Sequence, residues 1–178
     1  KNKDVKYVLE KYKINIINLK SSVNNYESIK QLSLYKPDLI VSILGNEIFK
    51  KEILSLPKRG IINLHSSLLP KYRGLMPSFW VLKNNEKFTG VSIFFVDEGI
   101  DSGPILMQSK IPIKNYSQQD LIYITKKIGM DLILLSLEKI RNNKEINLLP
   151  NNDKNMTYYS FPKREDVKEF LNSGNRFF

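Results

Sequence analysis

His65 is the only histidine among 178 residues, and Asn63 stands two positions before it. In a strand, residues two apart project from the same face. At the end of a parallel strand that face opens into the crevice where α/β folds bind ligands. An amide and an imidazole side by side there could both hydrogen-bond one developing oxyanion. Further along, Asp101 lies in Asp97-Glu98-Gly99-Ile100-Asp101-Ser102-Gly103, a turn bracketed by glycines where the backbone can bend sharply and approach a ligand. A carboxylate brought beside the imidazole could accept a proton, and the three side chains together would make an acid–base site. Each residue alone also has a plain structural reading. A histidine can be satisfied inside a core, an asparagine can cap a loop, and an aspartate is an ordinary turn residue. Spacing alone does not separate these options.

The elements that would carry these residues alternate. Residues 1–12 place Val5, Val8, Leu9 and Tyr12 at helical spacing. Residues 14–19 read as a short strand, and 26–34 as a helix ending before Pro37. Residues 38–44 form an almost continuous apolar run closed by Gly45, which suits a strand buried on both faces of a parallel sheet. Residues 51–56 give one or two helical turns before Pro57. Residues 60–65 are the next strand, 66–74 a loop, and Pro77 opens a helix over 78–84. Phe79 and Trp80 on that helix read as core-facing. Strands follow at 90–96 and 105–113. Ser117-Gln118-Gln119-Asp120 resembles a capping box ahead of a long amphipathic helix, with Leu121, Ile124, Ile128, Leu132, Leu135 and Ile140 near one stripe. That helix could serve an interface between copies of the chain as readily as the sheet. Pro150-Asn151-Asn152-Asp153 is a turn, 157–161 an extended piece and 164–171 a last helix. The alternation predicts an α/β domain with a largely parallel sheet.

Composition sets bounds. Hydrophobic residues make up 42% and charged residues 26% of the chain, ordinary for a globular protein. No apolar run reaches the ~20 residues that span a bilayer and no signal peptide opens the chain, so the expected location is the cytoplasm, with no membrane partner. Cysteine is absent, which excludes disulfides and thiolate metal sites, and a single histidine excludes a histidine-rich zinc site. The net charge of +10 invites a nucleic-acid reading. However, the basic residues are spread along the chain, and the abundance of lysine, asparagine and isoleucine matches the bias of an AT-rich genome. An anionic small substrate fits either reading.

The strings Asn63-Leu64-His65, Ser67-Leu68-Leu69-Pro70 and Asp101-Ser102-Gly103 resemble the Asn-x-His, Ser-Leu-Leu-Pro and Asp-x-Gly pattern of the folate-dependent formyltransferase family. Gly90-Val91-Ser92-Ile93 is similar to one of the family's strands. The resemblance runs from about residue 37 to about residue 143. It implies a Rossmann-like formyltransferase fold with a mostly parallel sheet lacking its N-terminal strand–helix units. On that basis residues 1–146 are a catalytic domain, incomplete at its N-terminal side, and 147–178 a short C-terminal extension. It further implies that Asn63, His65 and Asp101 are the catalytic trio. The formyl donor would be 10-formyltetrahydrofolate, acting as a co-substrate and held by Leu44, Gly45 and Ile48 and by Asp97, Glu98 and Gly99, with no metal. Ser67, Arg73 and Gly74 would meet the acceptor. Arg73-Gly74 after Ser-Leu-Leu-Pro is similar to the branches acting on methionyl-tRNA and on nucleotide amino sugars, whereas the glycinamide-ribonucleotide branch has Pro-Gly there. Arg73 could instead pair with Asp97 or Glu98. The implied reaction is one-carbon group transfer to a primary amine. A formyltetrahydrofolate deformylase is the enzyme alternative, and a non-catalytic binding module the alternative of another class.

Overall fold

The computed structural model of the chain describes residues 4–43, 45, 47–142 and 146–178. Four strands make the central sheet in the order β1 (Ile40–Ser42), β2 (Ile61–His65), β4 (Phe88–Phe95) and β5 (Ile105–Pro112). A two-residue strand β3 (Arg73–Gly74) pairs in parallel with β6 (Tyr158–Tyr159) in a separate ribbon. The helices are α1 (Val5–Lys11), α2 (Tyr26–Ser33), α3 (Lys51–Leu54), α4 (Pro77–Lys83), α5 (Gln118–Arg141) and α6 (Arg164–Asn172).

The α/β class holds, but the sheet is mixed. β1 and β2 run parallel, whereas β2–β4 and β4–β5 are antiparallel. The physical reason lies in the connections. A parallel pair needs a long crossover, which the segment carrying α3 supplies between β1 and β2, while β4 and β5 are joined directly by the 96–104 turn. Residues 14–19 form no strand: Ile14 and Ile16 are 51% and 63% exposed, with no ladder beside them among the described residues.

Alternation along β2 sends Ile62 and Leu64 to one face and Asn63 and His65 to the other. The first face packs with Val91, Ile93, Leu106 and Ile111 against Leu132, Ile133 and Ile140 of α5. The capping box at the start of α5 forms in full. Ser117 Oγ accepts from the Asp120 amide at 3.1 Å and the Asp120 carboxylate accepts from the Ser117 amide at 2.9 Å. Donation from the Ser117 amide, and from the Ser117 hydroxyl at 2.8 Å, holds the Asp120 carboxyl below its ordinary range. The carbonyls of Arg176 and Phe177 accept from the next free amides, Gln118 and Gln119, at 3.0 Å each, so the chain's last residues help cap this helix.

Helix α5 approaches the sheet closely at Gly129. A Cβ there would sit 2.4 Å from Leu64 Cδ1 and 3.2 Å from Val91 Cγ1. Elsewhere in a helix, glycine to alanine gains stability. Here overpacking should win, so Gly129→Ala is expected to destabilise by about 1–3 kcal/mol in a denaturant titration. An unchanged or raised midpoint would mean that Leu64 swings aside freely.

A second core gathers Phe79, Trp80, Val81 and Leu82 of α4 with Tyr72, Leu121 and Phe170 of α6. Phe79 stacks on Phe170 at 4.7 Å and Trp80 on Tyr159 at 4.6 Å. Phe79 and Trp80 are thus core residues, as expected from the sequence. Residues 158–177 contribute Tyr159, Phe170 and Phe177 to this cluster, so the chain beyond β5 and α5 is packed onto α4.

Candidate active site

The second face of the sheet carries the polar cluster. In register, Asn63 lies opposite Phe94 and His65 opposite Ser92, and Ser42 of β1 lies beside Asn63. His65 is 7% exposed. Loop 66–72 crosses this face and is pinned to it. Ser92 Oγ donates to the Ser67 carbonyl at 2.7 Å and accepts from the Leu69 amide at 3.1 Å. Gln108 Nε2 donates to the Leu69 carbonyl at 2.8 Å. The loop then brings the Tyr72 carbonyl to 2.7 Å from His65 Nε2. A carbonyl only accepts, so Nε2 carries the hydrogen and Nδ1 is the nitrogen left to face the site.

Nδ1 faces Asp101 Oδ2 at 3.4 Å, and the same oxygen accepts from the Gly74 amide at 2.8 Å. The route by which Asp101 gets there is not sequential. β4 ends at Phe95, opposite Ile62, three residues before His65 along β2. The 96–104 turn must therefore fold back across the sheet to reach the imidazole, roughly 10 Å along the strand. Asp101 makes the reversal at φ +48°, a left-handed conformation that aspartate tolerates better than most side chains. Within the turn, Asp97 Oδ1 accepts from the Gly99 amide at 3.0 Å and from Ser102 Oγ at 2.5 Å. A bulge between Ile93 and Phe94 lies next to Asn63, where such irregularities re-aim side chains. Asn63 Oδ1 is buried with no hydrogen-bond partner among the described residues. A buried amide oxygen left unpaired is costly; as an acceptor it could take a donor from a bound molecule, while any oxyanion would have to be met by Nδ2.

The other expected residues fall in different places. Gly45 lies near the end of β1, where a Cβ would be 2.7 Å from Ser42 Oγ. Ile48 is 55% exposed. Gly45 is therefore on the side where β1 ends, whereas the Ile48 carbonyl accepts from Asn24 Nδ2 at 2.9 Å; Leu44 lies outside the described residues. Glu98 and Gly99 are exposed at the tip of the turn. Ser67 is fully buried and donates to the Lys71 carbonyl at 2.8 Å; it closes the loop and has no open face toward an acceptor. Arg73 pairs with neither Asp97 nor Glu98, and its guanidinium is not held out for an acceptor anion. It is 4% exposed, with Nη1 on Asp153 Oδ1 at 2.8 Å and Nη2 on the carbonyl and Oδ1 of Asn151 at 3.0 Å each. The reason is the β3–β6 ribbon, which turns this side chain inward. Gly74, at φ +94°, meets Asp101 through its amide.

Two groups that sequence reasoning missed complete the cluster. Tyr72, at φ +60°, supplies the carbonyl for His65. Its hydroxyl donates to Glu86 Oε1 at 2.8 Å, and burial pushes the phenol well above its ordinary range, so it stays a donor. Asn151 donates through Nδ2 to the carbonyls of Asp101 and Gly103 at 2.7 and 2.8 Å. Only its place after Pro150, in a turn, set it apart in the sequence. Two cavities of about 200 and 210 Å³ lie elsewhere, one against α4 and the C-terminal residues and one beneath Lys71 and Tyr72. The His65 and Asp101 side chains are largely buried, 8% and 14% exposed. Among the described residues no three His, Cys, Asp or Glu side chains converge to hold a metal ion, and no helix is long and apolar enough to cross a membrane.

The arrangement is that of an α/β protein carrying an amide, an imidazole and a carboxylate on one sheet face, beside the end of its parallel strand pair. The chain belongs to the formyl transferase family, whose model matches residues 1–133. It is 40% identical over 166 residues to a methionyl-tRNA formyltransferase of Kosmotoga olearia, covering 92% of this chain and 52% of that protein. A methionyl-tRNA formyltransferase of Thermodesulfovibrio yellowstonii is 44% identical over 114 residues, 64% of this chain and 37% of that one. Among solved structures, the sugar 3N-formyl transferase WlaRD, determined in the presence of dTDP and 5-N-formyl-THF, superposes with a TM-score of 0.71 at 27% identity, over 92% of this chain and 54% of that one. The fold is shared with HypX of Aquifex aeolicus, at TM-score 0.67 and 18% identity over 78% of this chain and 24% of that one. The chain spans about half the length of the Kosmotoga olearia protein and of WlaRD.

Proposed function

We propose that this chain carries the chemistry of formyl transfer from 10-formyltetrahydrofolate to a primary amine, with Asn63, His65 and Asp101 as the reacting groups. The observation that carries the reading is the convergence of Nδ1 of the sole histidine and the Asp101 carboxylate, 3.4 Å apart, on the face that also holds Asn63. The amine nitrogen attacks the formyl carbon, giving a tetrahedral oxyanion that Asn63 and protonated His65 stabilise. The bond from that carbon to the folate nitrogen then breaks. The amine loses one proton, which Asp101 accepts at Oδ2 and the histidine relays, and the departing folate nitrogen gains one. Because Nε2–H is committed to the Tyr72 carbonyl, Nδ1 is the nitrogen that works. Its 3.4 Å separation from the carboxylate is longer than a good hydrogen bond, as catalytic pairs often are before substrate binds.

The acceptor we favour is methionyl-tRNA, which the names of the sequence relatives support; a nucleotide amino sugar is the second reading, supported by WlaRD. A cytoplasmic location goes with the tRNA reading. Gly45 and Ile48 beside β1, together with Asp97, Glu98 and Gly99, are the residues we assign to the folate.

The test is to combine the chain with 10-formyltetrahydrofolate and either methionyl-tRNA or a dTDP amino sugar, following folate absorbance and the formylated product. Transfer to one acceptor, lost in His65→Ala, is the expected result. Formate release without any amine would make the protein a hydrolase, and the absence of folate binding would overturn the reading.

A further inference from the structure

We infer that the segment from Asn151 to Tyr159, outside the stretch matched by the family model, holds the His65–Asp101 pair in register, with Asn151 as its main positioning residue. The inference rests on the reading of that pair as the reacting groups. Asp101 and Tyr72 both adopt left-handed backbone conformations, φ +48° and +60°, which persist only where the surroundings over-determine them. The same segment supplies those surroundings for both. On the Asp101 side, Asn151 Nδ2 spends both hydrogens on the carbonyls of Asp101 and Gly103, at 2.7 and 2.8 Å. Its Oδ1 accepts from buried Arg73, whose other terminal nitrogen reaches Asp153. The amide is thus oriented by a guanidinium and cannot turn over without exchanging donors for acceptors.

On the His65 side, Thr157 Oγ1 accepts from the Tyr72 amide at 2.8 Å and the Thr157 carbonyl accepts from the Arg73 amide at 2.9 Å. The Tyr159 carbonyl accepts from the Leu75 amide at 2.8 Å, and its ring stacks on Tyr72 at 5.3 Å. Loop residues 72–74 carry the two backbone groups that touch the pair: the Tyr72 carbonyl on His65 and the Gly74 amide on Asp101. One short segment therefore clamps the turn that bears the carboxylate and the loop that orients the imidazole. Neither Asn151 nor Thr157 touches the reacting atoms, so their effect must pass through backbone position.

Asn151→Asp tests this. It keeps the size and the acceptor for Arg73 but turns a carboxylate oxygen on two carbonyls. Because the chain has one histidine, the imidazole ¹⁵N resonances report the pair without any assay. In the wild-type chain Nε2 should carry its hydrogen throughout, donated to the Tyr72 carbonyl. In Asn151→Asp the Nδ1 resonance should move in the direction seen in Asp101→Asn. Turnover should fall about 10–100-fold, as a displaced reacting group costs, while KM for 10-formyltetrahydrofolate stays within about 2-fold. Asn151→Gln, which retains the two donors, should recover most of the turnover. If folded Asn151→Asp matches wild type in both Nδ1 resonance and kcat, the inference is overturned. Should Asn151→Asp not fold, Thr157→Val removes the acceptor for the Tyr72 amide, and an unchanged Nε2 resonance there overturns it equally. If the wild-type chain transfers no formyl group, the functional reading fails, and the resonance comparison alone decides whether the segment positions the pair.

Discussion

Asp101→Asn is expected to lower formyl-transfer turnover by about 10²–10⁴-fold, the range for loss of a general acid–base group, with the fold intact. The second half of that expectation makes the variant informative. Asparagine tolerates the left-handed conformation that residue 101 adopts at φ +48°. Its carbonyl oxygen can still accept from the Gly74 amide, now held at 2.8 Å by Oδ2. The contacts of Asn151 are to backbone carbonyls of Asp101 and Gly103 and do not involve the replaced group. What disappears is the charge opposite His65 Nδ1 and the capacity to take up the amine proton. Thermal unfolding should stay near wild type while single-turnover formyl transfer collapses. Wild-type turnover in a folded Asp101→Asn chain would reduce this carboxylate to a turn residue and sink its assignment. Asn63→Ala provides the companion measurement, with about 10²–10³-fold expected for one lost oxyanion donor.

Gly74→Ala is expected to be strongly destabilising. The position sits at φ +94°, and an added Cβ would be 2.2 Å from the Tyr159 carbonyl oxygen and 2.8 Å from the Tyr158 ring. A backbone carbonyl in a ladder cannot step aside as a side-chain terminus can, so the β3–β6 ribbon must separate. Backbone strain and overpacking together should cost about 3 kcal/mol. For a chain of this size that lowers Tm by roughly 6–12 °C. Gly174 provides the control. It also has positive φ, +78°, but nothing lies within 4 Å of the place an added methyl would take. Gly174→Ala should therefore show the conformational penalty alone, about 1–2 kcal/mol. Equal losses at the two glycines would mean that the contact with Tyr159 has no energetic consequence. Turnover should fall in Gly74→Ala well below the melting transition, because the amide that meets Asp101 moves with the ribbon.

Much of this architecture is written locally. The two-residue strand period places Asn63 and His65 together, and β2 does put both on the face away from α5. Ser117 and Asp120 announce the start of α5, because a capping box is completed within one helical turn. The aromatic pair Phe79 and Trp80, large and apolar on a helix opened by Pro77, goes into the core. What only the tertiary structure decided is joined across long stretches of chain. β3 and β6 are two residues each, too short for any periodicity, and their pairing brings residue 73 to residue 158. That pairing commits Arg73 to Asn151 and Asp153, where the sequence left open an anion on the acceptor or a pairing with Asp97 or Glu98. The direction of β4 likewise depends on how its connections close, and apolar content does not tell a parallel from an antiparallel neighbour. Residue types and short-range periods specify which side chains can react; the contacts that hold them at reacting distance come from segments 50 and more residues away, whose pairing carries no local signal.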